Sequence, residues 1–158
     1  ARKKIKLLQI RQPRDDDWQA IARLASDEVQ EGDHSGGIDG DWIENRRSVE
    51  CERKDAVLES NDSIVGYCAI ERQYADRVRS YRVFLVTDWS HVDPEVPDAL
   101  LSHVEVLLVE VGAESAWMRE VADDRELARF VTSRGFTVSA PYAFAGKQLV
   151  TFAKDYVT

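Results

Sequence analysis

Three runs with the alternation of a β-strand stand almost back to back in the middle of this sequence, and nothing else in the chain constrains its fold as much. Residues 56–59 are followed by the turn formers Ser60, Asn61 and Asp62, then by a long run at 63–73. A charged connection at 75–80 leads to a third run at 81–88, centred on Val83, Phe84, Leu85 and Val86. Links this short join antiparallel neighbours. In the long run, Val65, Tyr67 and Ala69 are expected on one face, and Ile64, Gly66, Cys68 and Ile70 on the other. After the loop that holds Pro94 and Pro97 the spacing changes. Leu100, Leu101, Val104, Leu107, Leu108 and Val111 recur with helical period from about Asp98, and Gly112 is a good stop. Residues 115–121 read as a strand, 124–134 as a helix stopped by Gly135, and 136–155 as one or two further strands. Helices that link strands imply crossover connections and parallel pairing. A chain that does both makes a mixed sheet with helices on both faces.

The N-terminal part adds a strand at 4–11, with Ile5, Leu7 and Leu8 inward and Pro13 at its end. Asp15, Asp16 and Asp17 sit where a helix dipole favours carboxylates, and a capping role outweighs a metal-binding one. The helix continues through Trp18, Ile21, Ala22, Leu24, Ala25 and Val29. A glycine-rich loop at 32–40 precedes a second, shorter helix from Trp42 to near Arg53. The element order is β-α-α-β-β-β-α-β-α-β-β, with no internal repeat. Residues 1–158 fit a single α/β domain.

The net charge is −8, from 29 acidic and 21 basic residues, which argues against nucleic acid as the main partner. A local nest of backbone N–H groups could still hold an anionic cofactor. No run approaches the length of a membrane span, and no apolar segment of signal-peptide length follows the charged start, so a cytoplasmic location is the expectation. Cys51 and Cys68 lie outside any metal-ligand spacing. Cys68 reads as a buried small hydrophobe, and a disulfide between the two is not favoured. Residues 33–44 place Asp33, Ser35, Asp39, Asp41 and Glu44 at spacings of a calcium loop, but Ile38 stands where that loop needs glycine. A mobile loop is the better reading, and no metal is expected. Arg72, Arg77, Arg79 and Arg82 form a basic cluster across one turn. Trp42, Trp89 and Trp117 read as core or interface residues.

Three local sequences carry a resemblance to a known family. Ile10, Arg11 and Pro13, with Asp17 and Trp18 through Leu24, look like its opening strand and first helix. Residues 63–70, SIVGYCAI, look like its second meander strand, and residues 118–136, MREVADDRELARFVTSRGF, like its strand-turn-helix ending in a Gly-Phe pair. By this order the chain resembles the GNAT acyltransferase superfamily over nearly its whole length. The resemblance implies a GNAT-like mixed central sheet splayed between the strands at Tyr81 and Ser115. It also implies acetyl-CoA or another acyl-CoA as cofactor. The reaction is direct attack of an amine on the thioester, with a small-molecule or peptide amine as acceptor and a homodimer as one assembly. The cofactor would lie against Val86, Thr87, Asp98, Ala99 and Asp124.

Two segments depart from the family's pattern. Its pyrophosphate loop, Arg/Gln-x-x-Gly-x-Gly/Ala, corresponds to residues 87–100 here, which contain neither glycine nor arginine. They contain Pro94 and Pro97, which lack N–H groups, and Asp88, Asp93, Glu95 and Asp98, which oppose a diphosphate. The tyrosine that protonates the departing thiolate corresponds to Val131, and the family's asparagine to Asp124, a comparable cap. Glu71, Glu120 and His91 are the candidates for general base, with Asp88 and His103 behind them. Two expectations follow: an N-acyltransferase with another grip on its cofactor, or a silent binding or structural domain, such as half of a two-domain or dimeric acyltransferase.

Overall fold

The computed structural model describes residues 7–26, 52–72, 78–89, 91–122, 125–144 and 146–156. The three alternating runs become β2 (Arg53–Ser60), β3 (Ser63–Arg72) and β4 (Ser80–Thr87), and β1 (Leu8–Arg11) adds to the edge of β2. All three junctions are antiparallel. A short turn of 3-10 helix (Asp15–Asp17) enters α1 (Trp18–Leu24). The helical repeat forms α2 (Glu95–Glu110), which crosses from β4 to a parallel β5 (Ser115–Val121). After β5 come α3 (Arg125–Ser133), β6 (Thr137–Val138), β7 (Tyr142–Phe144) and β8 (Lys147–Asp155). Among the described residues the sheet runs β1-β2-β3-β4-β5-β8-β6, with β7 also on β8. The expected mixed α/β architecture is present. Helices α2 and α3 end at Gly112 and Gly135, whose φ angles of 67° and 93° are left-handed.

Several local expectations need correction. Leu7 is exposed, and Leu8 and Ile10 take the inward positions of β1. The final segment makes three strands: β6 and β7 lie end to end along β8, interrupted at Ser139, Ala140 and Pro141. Ser139 still contacts Thr151 across that break, with its N–H on the Thr151 carbonyl and its hydroxyl accepting the Thr151 N–H, both at 2.9 Å. The second helix expected from Trp42 lies outside the described residues, except that Arg53 already belongs to β2. Cys51 and the loop at 33–44 also lie outside them.

The faces of β3 come out as expected from Gly66 onward but not before it. Leu58 pairs with Gly66, whereas Glu59 pairs with Ile64, so Val65 is an extra residue. This bulge turns Ile64 to the side of Tyr67 and Ala69, and Val65 to the side of Cys68 and Ile70. The Thr87 hydroxyl donates to the Val65 carbonyl at 2.7 Å and fixes the bulge against β4.

The sheet separates two apolar layers. Ile21 and Ala25 of α1 and the residue next to it pack on Val57, Tyr67, Ala69, Phe84 and Val86. The larger layer joins Cys68, Ile70, Val83 and Leu85 to α2, α3 and Met118. Gly66 lets α2 come close: a Cβ there would sit 2.8 Å from Leu100 Cδ1. The carboxylate run before α1 does more than cap. Asp17 is buried and accepts two hydrogen bonds from the Arg11 guanidinium at 2.6 and 2.9 Å, and one from the Arg14 N–H at 2.6 Å. Arg11 also donates to Glu59 at 2.6 Å, so one guanidinium ties β1, β2 and the entry to α1 together.

Candidate functional site

Strands β4 and β5 pair only where Ser80, Tyr81 and Arg82 meet Ser115, Ala116 and Trp117. Beyond these residues neither strand pairs with the other, and a wedge opens between Val83–Thr87 of β4 and Met118–Val121 of β5. The splay expected between the strands at Tyr81 and Ser115 is therefore present.

Only Val86, Thr87 and Glu120 of the candidate residues lie on the strands that border the wedge. Val86 and Thr87 border it from β4, both fully buried, Val86 toward α1 and Thr87 held to Val65. Glu71 lies at the far end of β3, opposite Arg82, because β3 is antiparallel to β4. That is the closed end of the wedge. Glu71 is buried there with Arg53 Nη1 3.8 Å from its Oε1. Glu120 is buried on β5 and pairs with Val150. Alternation places it on the helix side of the sheet with Ala116 and Met118, opposite to Glu71. His91 is exposed in the loop after β4, its Nδ1 3.0 Å from Asp88 Oδ1. It lines a small hollow of about 140 Å³ with Leu8, Ser60 and Val65. Asp98 and Ala99 sit in the first turn of α2, and Asp124 lies outside the described residues. Val131, fully buried in α3, belongs to the main core.

The N-terminus of α2 offers few donors. Pro94 and Pro97 have no N–H, the Val96 N–H is bonded to the Asp93 carbonyl, and the Asp98 N–H to the Pro94 carbonyl. In the preceding loop the His91 and Val92 N–H groups both turn back to the Asp88 carbonyl at 3.0 Å. Side chains then bridge this end of α2 to α3. The rings of Trp89 and Phe130 stand 6.4 Å apart at 60°, and Trp89 packs on the main core. Asp98 forms an ion pair with Arg134, whose guanidinium lies 5.6 Å from the Phe130 ring centre. Sequence reading missed this bridge, since its partners are far apart in the chain.

The basic cluster divides between the two faces of the sheet. Arg72 and Arg79 converge on Glu52 at 3.3 and 3.2 Å, together with the Tyr81 hydroxyl, which donates to Glu52 at 2.5 Å. Arg82 faces away from them, over the rings of Phe84 and Trp117. Arg77 lies outside the described residues. Asp55, whose Oδ2 accepts the Tyr67 hydroxyl at 2.9 Å, is pushed above the usual carboxylate range by burial. Asp17 is held below it, chiefly by the Arg11 hydrogen bonds. Burial lowers His103, which lines a cavity of about 540 Å³ with Ile10, Arg53 and Leu107. Burial also pushes the free Cys68 thiol up to about 12, too high for a nucleophile. No group of three metal-ligating side chains occurs among the described residues, and no described helix is long and apolar enough to cross a membrane.

No family model and no curated protein matches the sequence. Solved structures do match the fold. A GCN5-related N-acetyltransferase from Kribbella flavida is 17% identical with a TM-score of 0.78, over 94% of this chain and 98% of that one. A ribosomal-protein-alanine N-acetyltransferase from Brucella melitensis is 16% identical with a TM-score of 0.76, over 94% and 99%. A putative acetyltransferase from Salmonella typhimurium, solved with acetyl-CoA, is 18% identical with a TM-score of 0.74, over 94% and 93%. The chain has the fold of the GNAT acetyltransferases.

Proposed function

We propose that this chain is a GNAT-fold domain that has lost the family's grip on acyl-CoA and serves as a binding or structural unit. The observation that carries this reading is the bridge from the β4–α2 loop to α3. In the fold's reaction the pyrophosphate would sit at the N-terminus of α2 and the thiolate beside position 131 of α3, so the cofactor would run between these two elements. Here Trp89, Phe130, Asp98 and Arg134 meet across that path. The donor set does not fit a pyrophosphate either: two prolines, two N–H groups already bonded and four carboxylates occupy the turn. Val131, buried among apolar side chains, supplies no proton for a thiolate.

A second reading has one observation in its favour. The divergence of β4 from β5 persists, and a wedge of this kind is what an N-acyltransferase of this fold would need to admit a thioester. That enzyme would hold acyl-CoA through other contacts and acetylate an amine.

Calorimetric titration with acetyl-CoA separates the two. No binding at millimolar ligand is the expected result. A micromolar dissociation constant, near −8 kcal/mol, would defeat the first reading and favour the second.

A further inference from the structure

Arg82, Trp117 and Arg119 stand on the face of the sheet that carries α1. Arg82 and Trp117 are register partners across β4 and β5, and Arg119 follows Trp117 by one strand repeat. The Arg119 guanidinium carbon lies 5.6 Å from the Trp117 ring centre and 4.7 Å from that of Phe144. Arg82 lies 5.2 Å from the same indole and 4.6 Å from the Phe84 ring. One indole thus serves two cations.

The two cations differ in what else they meet. Arg82 is the register partner of Glu71, a buried carboxylate that Arg53 approaches at 3.8 Å. Arg119 has no carboxylate at ion-pair distance among the described residues, and its Nε is buried there without a hydrogen-bond acceptor. Arg119 is thus a guanidinium seated on two rings with no carboxylate partner among the described residues, in a chain of net charge −8. Nearby, Phe144 is half exposed, and the Tyr142 hydroxyl is fixed to Thr151 at 2.7 Å.

We propose that Arg119, seated on Trp117 and Phe144, recognises the carboxylate of a small monocarboxylic acid whose planar apolar body rests on the same rings. A guanidinium meets a carboxylate as a planar fork with two parallel hydrogen bonds, which an ammonium cannot reproduce. The two rings already hold the arginine, so binding freezes little further freedom. The aromatic surface offers an apolar flat ligand contact area beside the charge. This site lies on the opposite face from α2 and α3 and stands independently of the reading of the cofactor path.

The test is a titration of the full chain with benzoate, following the arginine Nε–H signals by nitrogen-edited NMR. The Arg119 signal should shift saturably at millimolar benzoate and stay still with benzamide, which has the same shape without the charge. Arg119→Gln should weaken benzoate binding at least about tenfold, the loss of one two-pronged contact. Arg119→Lys keeps the charge but not the fork, and should weaken it as well. Circular dichroism checks that both variants are folded. A motionless Arg119 signal, equal binding of benzamide, or unchanged benzoate affinity in the lysine and glutamine variants would each overturn the proposal. Acetyl-CoA binding in the separate titration would sink the silent-domain reading and leave this one standing.

Discussion

The two faces of the sheet at the β4–β5 divergence are furnished in opposite ways. On the helix face, Trp89 and Phe130 meet ring to ring, and Asp98 pairs with Arg134. These four side chains meet one another within the chain. On the α1 face, Arg82 and Arg119 lie over aromatic rings, and Arg119 lacks a carboxylate among the described residues. Strand alternation produces the contrast: Arg82 and Phe84, like Trp117 and Arg119, are two residues apart and share a face. One face therefore looks built for cohesion and the other for contact with something outside, and the two kinds of face should respond differently to substitution.

The largest expected effect is on the cohesive face. Trp89→Ala removes a ring that packs on the core and touches Phe130, and should destabilise the fold by about 3 kcal/mol, the low end for an aromatic-to-alanine change because Trp89 is only partly buried. Urea denaturation monitored by circular dichroism gives the value. A loss below about 1 kcal/mol, typical of an average substitution, would break the contrast at its cohesive end.

A pH series sharpens it further, because the α1 face is bordered by two carboxylates with opposite tendencies. Asp17 is held below its ordinary range by Arg11, so its contribution is present above the unfolded pKa of about 4 and is lost as pH falls through the folded value. Asp55 is raised by burial, so the folded state favours its protonated form, and stability is lost as pH rises through its folded value. The urea midpoint of Asp17→Asn should therefore approach that of the wild type as the solution is acidified below about pH 4. Asp55→Asn should gain on the wild type as pH rises out of the carboxylate range. Parallel curves for all three proteins would show that neither carboxylate is coupled to folding as described.

The smallest effect belongs to Arg119→Gln, which should change stability by no more than about 0.5 kcal/mol in the same urea experiment. A large loss would mean that Arg119 holds the sheet together and is no more free for a ligand than Arg134 is.

Much of the fold could be read from the order of residues, because period-2 and helical spacings are local signals. The meander, the crossover helix and both glycine stops needed only neighbouring residues to be recognised. The faces of β3 failed at Ile64 and Val65 because a bulge inserts one residue without any change in composition, and alternation counted from either end then disagrees at the other. Glu71 and Glu120, each a candidate general base, come to lie apart for a related reason. Each sits on a central strand, but antiparallel pairing carries Glu71 to the closed end, and alternation sends Glu120 to the opposite face. The Trp89–Phe130 contact left no signal to find, since it depends on how α2 and α3 approach. The Arg119 cluster did leave one, in the Trp-Met-Arg and Arg-Val-Phe triplets, each of which puts a cation beside a ring at strand spacing.

The interruption of the outer strand at Ser139, Ala140 and Pro141 bears on how this protein behaves in a crowd. A continuous strand from Thr137 to Phe144 would present an unbroken row of amide donors and carbonyl acceptors, a template on which another chain could stack. Divided into a two-residue and a three-residue piece, with a residue at the break that has no N–H to give, the margin is too short and too irregular to recruit an intruding strand. At the opposite margin β1 is only four residues long. Among the described residues both rims of the sheet are thus guarded by brevity, and the net negative charge adds repulsion between molecules.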